Sequence, residues 1–181
     1  MTALVLAIEA PRARLGLKGP RAAEWLIAQD MVLPMAANSW VHSGAGGGSG
    51  ALLVARLGAA EFFLEDAADG SPLAAISPKL KARPPGVYPV LREDCAFQLS
   101  GDGVHDVLAQ VCNVEFAGLV LDSHPLIMTL MIGVAVLVVP QEFGAERRYR
   151  IWCDPTLGPS LSENLGAVVV DCGGITRGVS A

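Results

Sequence analysis

The sequence predicts an α+β domain built from two interleaved β-α-β halves of the ferredoxin-like kind. The clearest signal is the stretch VYPVLREDCAFQLSGDGVHDVLAQVCN at 87–113, which combines a β-rich run, a Gly-rich turn and apolar residues at helical spacing. Strand-like and helix-like segments also alternate along the rest of the chain. The length of 181 residues favours one domain over residues 1–181.

The first half begins with a helix and a glycine-rich loop. Gly19-Pro20 precedes apolar residues at helical spacing, so Pro20 is expected at the first helical position, and residues 30–34 end the helix. The tract GAGGGSG at 44–50 predicts a flexible connection. No Lys-Ser/Thr pair follows these glycines, which argues against a phosphate-binding loop.

A β-hairpin and a short helix complete the first half. Residues 51–57 and 61–65 form the predicted hairpin, with its turn at Gly58, and the apolar character of both faces predicts an interior first strand. Residues 72–81 predict a short helix. The segment ARPPG at 82–86 predicts a connector, because consecutive prolines exclude helix there.

The second half follows the central strand-turn-helix segment. We expect a short extended segment at 118–121, two central strands joined near Ile132-Gly133, and a strand at 147–153. A helix is predicted to begin at 154–156, and a last short strand is predicted at 167–171.

Composition limits the classes of function. Hydrophobic residues make up 52% of the chain and charged residues 17%, with a mean hydropathy of +0.45, which indicates a permanent partner or a membrane. The longest apolar run, residues 126–140, is shorter than the about 20 residues of a membrane-spanning helix. The net charge of −5 and the lack of a basic stripe argue against nucleic acid. The N-terminal residues lack the pattern of a signal peptide, so we expect a cytoplasmic protein.

Metal and nucleotide sites are not predicted. The four cysteines Cys95, Cys112, Cys153 and Cys172 form no closely spaced pair, so they are expected as buried free thiols and not as zinc ligands. The turn at 100–103 has Gly-x-Gly without the third glycine of a dinucleotide fingerprint. We expect Asp102 to cap the following helix, where its charge favours the helix dipole.

No catalytic set is predicted either. Ser123-His124 lacks the G-x-S-x-G context of a hydrolase, and His105 and Asp106 are helix neighbours that do not face each other. Arg56 and Glu61 are expected to form an ion pair across the hairpin. The last candidates, Arg147, Arg148 and Arg150, are interpreted as a solvated strand edge, with binding of an anion or an acidic partner as the alternative.

Six segments together resemble the γ subunit of heterotetrameric sarcosine oxidase. The order and spacing of these segments carry the resemblance and cover most of the chain: LKGPRAAEWL at 17–26, LPMAANSW at 33–40, ARLGAAEFFLE at 55–65, VLREDCAFQLSGDGVHDVLAQVC at 90–112, GVAVLVV at 133–139 and YRIWCDPTLGPSLSENL at 149–165. The sister subunit of N-methylglutamate dehydrogenase fits the same pattern.

The resemblance implies a fold related to the folate-binding domain of the glycine-cleavage T-protein and a place beside α, β and δ subunits. Such a complex demethylates a secondary N-methyl amine, sarcosine to glycine, and passes the one-carbon unit to tetrahydrofolate. The resemblance places FAD, FMN, NAD, tetrahydrofolate and zinc on the partner subunits, and implies no catalytic, cofactor or metal residue in this chain. The T-protein segment Tyr-Thr-Gly-Glu is matched here by Phe143-Gly144-Ala145-Glu146. A folate- or amine-binding module with its own small-molecule site is the alternative function.

Overall fold

The computed structural model describes residues 2–44, 51–67, 71–144 and 146–180. Residues 45–50 of the predicted glycine-rich loop therefore lie outside the described residues. The elements in chain order are β1 (Val5–Glu9), β2 (Arg14–Lys18), α1 (Ala22–Ile27), β3 (Ser39–Ser43), β4 (Leu52–Gly58), β5 (Glu61–Glu65), α2 (Ser71–Lys81), β6 (Tyr88–Val90), β7 (Cys95–Ser100), α3 (Val104–Val111), a short 3-10 helix (Leu121–Ser123), β8 (Ile127–Met131), β9 (Val134–Phe143), β10 (Glu146–Cys153), α4 (Gly158–Asp171) and β11 (Ile175–Ser180).

These elements form two compact units. The framing unit consists of residues 1–11 and 93–181, and the inserted unit consists of residues 12–92. The predicted α+β class is confirmed, with two sheets and four helices within the described residues.

The framing unit is a six-stranded sheet in the order β11-β1-β7-β10-β9-β8. Only β1 and β11 run parallel, and the other neighbours are antiparallel. Helices α3 and α4 pack on one face of the sheet, because their apolar residues recur at helical spacing and point to a common side. These residues join the sheet residues in one core: Val104, Val107, Leu108, Val111, Leu161, Leu165 and Val169 with Leu6, Phe97, Leu99, Val138, Tyr149 and Ile151.

The inserted unit is a five-stranded antiparallel sheet in the order β3-β4-β5-β2-β6. The predicted hairpin is β4 and β5, and β4 is an interior strand as expected. Helices α1 and α2 complete the core, whose buried members are Leu17, Ala22, Leu26, Leu52, Val54, Phe62, Leu64, Leu73, Ile76, Leu80 and Val87. Each fully buried Leu or Phe contributes about 1.5–3 kcal/mol to folding.

Several predicted boundaries in the second half are wrong. Residues 88–90 and 95–100 belong to strands of different sheets, because the boundary between the units falls at 92–93. Residues 167–171 form the last turns of α4, and the final strand is β11 instead. The predicted extended segment at 118–121 leads into the short 3-10 helix.

Other corrections concern single residues. Pro20 precedes the first helical residue, Ala22, by two positions, so it lies in the turn before α1. Gly58 ends β4, and Ala59 and Ala60 form the turn of the hairpin. Helix α4 begins at Gly158, after a turn over 154–157.

The two strands predicted around Ile132-Gly133 are β8 and β9, and only β9 is central. Strand β8 lies at the edge of the sheet, where Met128 and Leu130 are 52% and 60% exposed. Its apolar sequence does not distinguish an edge from a central strand, because period and composition are the same in both. Within the described residues, no helix has the length and apolar character needed to cross a membrane.

Candidate functional site

A buried ion pair lies in the sheet of the inserted unit. Arg14 of β2 and Glu65 of β5 are opposite each other, and Arg14 Nε donates to Glu65 Oε2 at 2.5 Å. The side chains are 3% and 0% exposed. Charged residues are almost never this deeply buried unless they are paired, since each loses its hydration. The pair is therefore a fixed polar element within this sheet.

A second buried pair lies in the sheet of the framing unit. Arg150 of β10 donates from Nε to Glu9 Oε2 at 3.1 Å and from Nη2 to the same oxygen. The guanidinium carbon lies 4.8 Å from the centre of the Trp152 ring, in cation–π contact. Arg150 is 7% exposed. The interpretation of 147–150 as a solvated strand edge is wrong, because β10 lies between β7 and β9.

His105 meets a buried tyrosine and not its helix neighbour Asp106. Its Nε2 lies 2.7 Å from Tyr149 Oη, and the Phe116 ring packs edge-to-face on Tyr149 at 5.5 Å. Burial, aided by the Arg147 guanidinium, lowers the pKa of His105. Burial also raises the pKa of Tyr149. Both groups are thereby held neutral at neutral pH, so the pair acts as a polar brace between α3 and β10.

Arg56 anchors a loop instead of pairing with Glu61. Its Nη1 donates to the carbonyls of Pro34 and Met35 at 3.2 and 2.9 Å. Its other nitrogens donate to the carbonyls of the hairpin turn, at Gly58 and Ala59. The predicted ion pair is therefore wrong, because the guanidinium donates to four backbone carbonyl oxygens instead.

The remaining sequence candidates are placed apart. Ser123 Oγ donates to Val120 O at 2.9 Å, and His124 is exposed with a left-handed φ of 48°. Asp102 does not cap α3: its Oδ2 accepts from the backbone of Thr2 at 2.8 Å, and Gly103 is the N-cap residue. No group of three or more possible metal ligands is found in the part of the chain that the structure describes.

A wide apolar groove lies on the inserted unit. It encloses about 990 Å³ and is lined by Leu15, by the end of α2 and by the connector to β6, with Lys81 and Arg83 among the lining residues. This volume falls in the range of small-molecule sites, which is about 300–1,000 Å³. A smaller cavity of about 460 Å³ lies on the framing unit, lined by β1, α4 and β11, so the groove is the larger of two features with the size of a ligand site.

The segment that matches the T-protein folate motif presents no free acid. The Glu146 carboxylate accepts from Arg148 Nη2 at 3.0 Å, within the same strand. Residue 145 lies outside the described residues. The carboxylate is thus engaged by a neighbouring cation, and the described residues of this segment do not fit the role of holding folate.

Comparison with known proteins places the fold. The chain is similar to glycine cleavage system aminomethyltransferase T from Bartonella henselae, with a TM-score of 0.70 and 17% identity. The similarity covers 98% of this chain and 48% of that one, so this chain spans about half the length of the aminomethyltransferase. The predicted likeness of the fold to the T-protein folate-binding domain is thereby confirmed.

A second solved structure matches over most of both chains. It is heterotetrameric sarcosine oxidase from Corynebacterium sp. U-96 in complex with pyrrole 2-carboxylate, with a TM-score of 0.69 and 22% identity. The similarity covers 92% of this chain and 84% of that one. No protein-family profile and no curated protein matches the sequence.

Sequence reasoning missed both buried ion pairs. Glu9 directly follows the apolar run LVLAI, and Glu65 directly follows the apolar residues FFL. A carboxylate inside an apolar strand is a signal for a buried pair, because only a paired charge is tolerated there. The partners Arg14 and Arg150 are far away in sequence and could not be assigned without the sheet register.

Proposed function

We propose that this chain is a non-catalytic γ-type subunit of a heterotetrameric sarcosine oxidase-like flavoenzyme. The observation that carries the proposal is the similarity to a chain of sarcosine oxidase over 92% of this chain and 84% of the other. The aminomethyltransferase, by contrast, is about twice as long as the region matched. A chain that corresponds to nearly a whole subunit is best explained as a subunit.

The contacts of the polar side chains support a role in which this chain does not itself catalyse a reaction. The ion pairs Arg14–Glu65 and Arg150–Glu9 join charges within each sheet, and His105 Nε2 is engaged by Tyr149 Oη at 2.7 Å. A general acid or base needs a pKa near the operating pH and a reachable substrate proton. The polar groups described above brace strands and loops instead.

The surface supports a role in assembly. Large apolar side chains remain exposed at Met35, Leu91, Val120 and Leu130, with exposed fractions of 97%, 81%, 69% and 60%. Only 17% of the residues are charged. In this proposal the partner subunits cover these side chains, since apolar surface that forms a contiguous patch marks contact with another protein. In the assembled enzyme, FAD, FMN, NAD, tetrahydrofolate and zinc belong to the α, β and δ partners in this proposal.

Co-expression tests the proposal. The chain is produced with candidate α, β and δ subunits, and co-purification and turnover of sarcosine are measured together. We expect a stable complex whose turnover stays within a few-fold when His105, His124 or Arg56 is replaced by alanine. A loss of turnover of a hundredfold or more with the complex intact would place that residue in an active site and contradict the proposal.

The alternative is a module that binds folate or an amine by itself, which the groove on the inserted unit favours. Calorimetric titration of the isolated chain with tetrahydrofolate and with sarcosine separates the two functions. Saturable binding that Ser77→Arg, at an exposed position of the groove lining, abolishes, while an exposed-site control such as Glu24→Arg preserves it, would favour the module. Comparison of sarcosine with N-methylglutamate as substrates of the assembled enzyme distinguishes the oxidase from N-methylglutamate dehydrogenase.

A further inference from the structure

Two cysteines stand directly opposite each other in the sheet of the framing unit. Cys95 is the first residue of β7, Cys153 is the last residue of β10, and the antiparallel register pairs them. Opposed residues of an antiparallel pair have Cα atoms about 4.5 or 5.5 Å apart and side chains on the same face. Both separations lie within the roughly 4.4–6.8 Å range of disulfides. The two sulfurs can therefore be joined with little backbone movement.

The two thiols have different environments. Cys153 is 2% exposed and belongs to the core, and burial, with the neighbouring Cys95, Asp94 and Asp154, raises its pKa to about 11. Cys95 is half-buried, and its thiol faces the carbonyl of Pro155 at 4.0 Å. A small oxidant can therefore reach Cys95 before it reaches Cys153. Thiol oxidation follows thiolate character and exposure, so both the raised pKa and the burial of Cys153 direct the first oxidation to Cys95, and Cys153 is the nearby thiol that resolves the product.

The start of α4 leaves room for the outer sulfur. A Cβ at Gly158 would lie 2.5 Å from Cys95 Sγ and 3.0 Å from its Cβ. Real Cβ atoms do not come this close, so a glycine is needed at this position to let the sulfur pack against the backbone. Gly158, the first residue of α4, therefore leaves the space that Cys95 Sγ occupies.

The other two cysteines have no such arrangement. Cys112 stands opposite Met131 and contacts Thr129 Oγ1 at 3.5 Å. Cys172 follows the end of α4 and accepts from Gln110 at 3.2 Å. Of the four cysteines, only Cys95 and Cys153 are placed opposite each other by the strand register. Cys112 and Cys172 provide a buried and a half-buried internal control.

We propose that Cys95 and Cys153 form a redox-sensitive pair that a peroxide converts into a cross-strand disulfide. In the first step the Cys95 sulfur attacks the peroxide, the O–O bond breaks, and Cys95 becomes a sulfenic acid while the peroxide is reduced to an alcohol or water. In the second step the Cys153 sulfur attacks the Cys95 sulfur. The S–O bond breaks, and the oxygen leaves as water with the proton of the Cys153 thiol. Two thiols thereby lose two electrons, and a thiol reductant reverses the change.

The disulfide would restrict the movement of the segment that precedes α4. It joins the first residue of β7 to the last residue of β10, and the turn 154–157 follows directly. A bond between residues this distant in sequence restricts the unfolded chain. We therefore expect the oxidised chain to have a higher midpoint of thermal unfolding than the reduced chain.

The test treats the full chain with a small excess of hydrogen peroxide and then blocks free thiols with an alkylating agent. We expect loss of two of the four thiols, an intact mass lower by two hydrogen atoms when it is read before alkylation, and a peptide pair that contains Cys95 and Cys153. Cys172→Ser, the half-buried control, should behave like the parent chain. Cys153→Ser should stop at the sulfenic acid of Cys95, which dimedone traps.

Peptide mapping of the unaltered chain decides the proposal even if Cys153→Ser does not fold. Absence of the Cys95–Cys153 peptide pair after loss of thiols would overturn it. Oxidation of Cys172 before Cys95, or disulfides only between separate molecules, would overturn it as well.

Discussion

Removal of the negative charge of Glu65 is expected to destabilise the inserted unit severely. Glu65→Gln removes the negative charge from the 2.5 Å ion pair with Arg14, whose side chain is 3% exposed. Breaking a buried pair by removing one partner costs about 3–5 kcal/mol, because an uncompensated charge stays buried. Arg14→Met is expected to cost a similar amount, because the Glu65 carboxylate then stays buried without the charge of Arg14.

The effect is large enough for equilibrium unfolding in urea. With a denaturant dependence of about 2 kcal/mol per M, a loss of about 3 kcal/mol lowers the unfolding midpoint by about 1.5 M. Trp25 and Trp40 lie in the inserted unit and report its unfolding by fluorescence. The control is the surface pair Arg21–Glu24, with side chains 61% and 73% exposed, where Glu24→Gln should change stability by less than about 0.5 kcal/mol.

The double variant Arg14→Met/Glu65→Leu separates the charge effect from general damage. Replacement of both charges by apolar groups is often close to neutral, so the double variant should be more stable than the sum of the single losses predicts. The expected coupling exceeds about 1 kcal/mol. Additivity of the two single losses within about 0.5 kcal/mol would refute the reasoning, because it would mean that the two charges do not depend on each other.

Three further predictions concern the core, a turn and a titrating side chain. Leu165→Ala, at a position 0% exposed, should cost about 2–5 kcal/mol of unfolding free energy, whereas Val170→Ala, at 56% exposed, should change it by less than about 1 kcal/mol. Gly101→Ala should lower the thermal midpoint strongly, because φ is 101° and the added Cβ would lie 2.0 Å from the Ala3 carbonyl oxygen; Gly58→Ala, with open space, is the matched control. Since burial lowers the pKa of His105 in the folded state, the unfolded state binds more protons, so its contribution to stability is present above about pH 6.5 and is lost as the pH falls below it. Stability measured between pH 5 and 7 should fall less steeply for His105→Gln, and an unchanged slope would contradict the assigned direction.

Local patterns in the sequence predicted the elements that depend on local chemistry. The hairpin of β4 and β5, helix α3 and the strand pair β8–β9 follow from period and turn residues, and all are present. The strand predicted at 167–171 is helical because Leu161, Leu165 and Val169 continue the helical period that begins at Gly158. A β-branched run such as VVV is compatible with helix when tertiary packing favours it.

The site-level features could not be predicted for a different reason. The contacts His105–Tyr149, Glu9–Arg150 and Arg14–Glu65 each join residues distant in sequence through the register of a sheet. A one-residue change of register would move every side chain to the other face, and the sequence alone does not fix which strands are neighbours. The same limit applies to Cys95 and Cys153, whose spacing in sequence gives no sign that they face each other.

The division of the framing unit between two stretches of chain imposes an order on its folding during synthesis. Strand β1 emerges from the ribosome first, but its partners are β7 at 95–100 and β11 at 175–180. At the usual elongation rate of about 5–20 residues per second, β1 waits roughly 5–20 s for β7 and about twice as long for β11. All strands of the inserted unit lie between β1 and β7 in the sequence. The sheet of this unit can therefore close while both edges of β1 are still unpaired. A nascent chain stalled when residue 92 has just left the ribosome should therefore protect strands β2–β6 from protease and leave residues 2–9 open to cleavage.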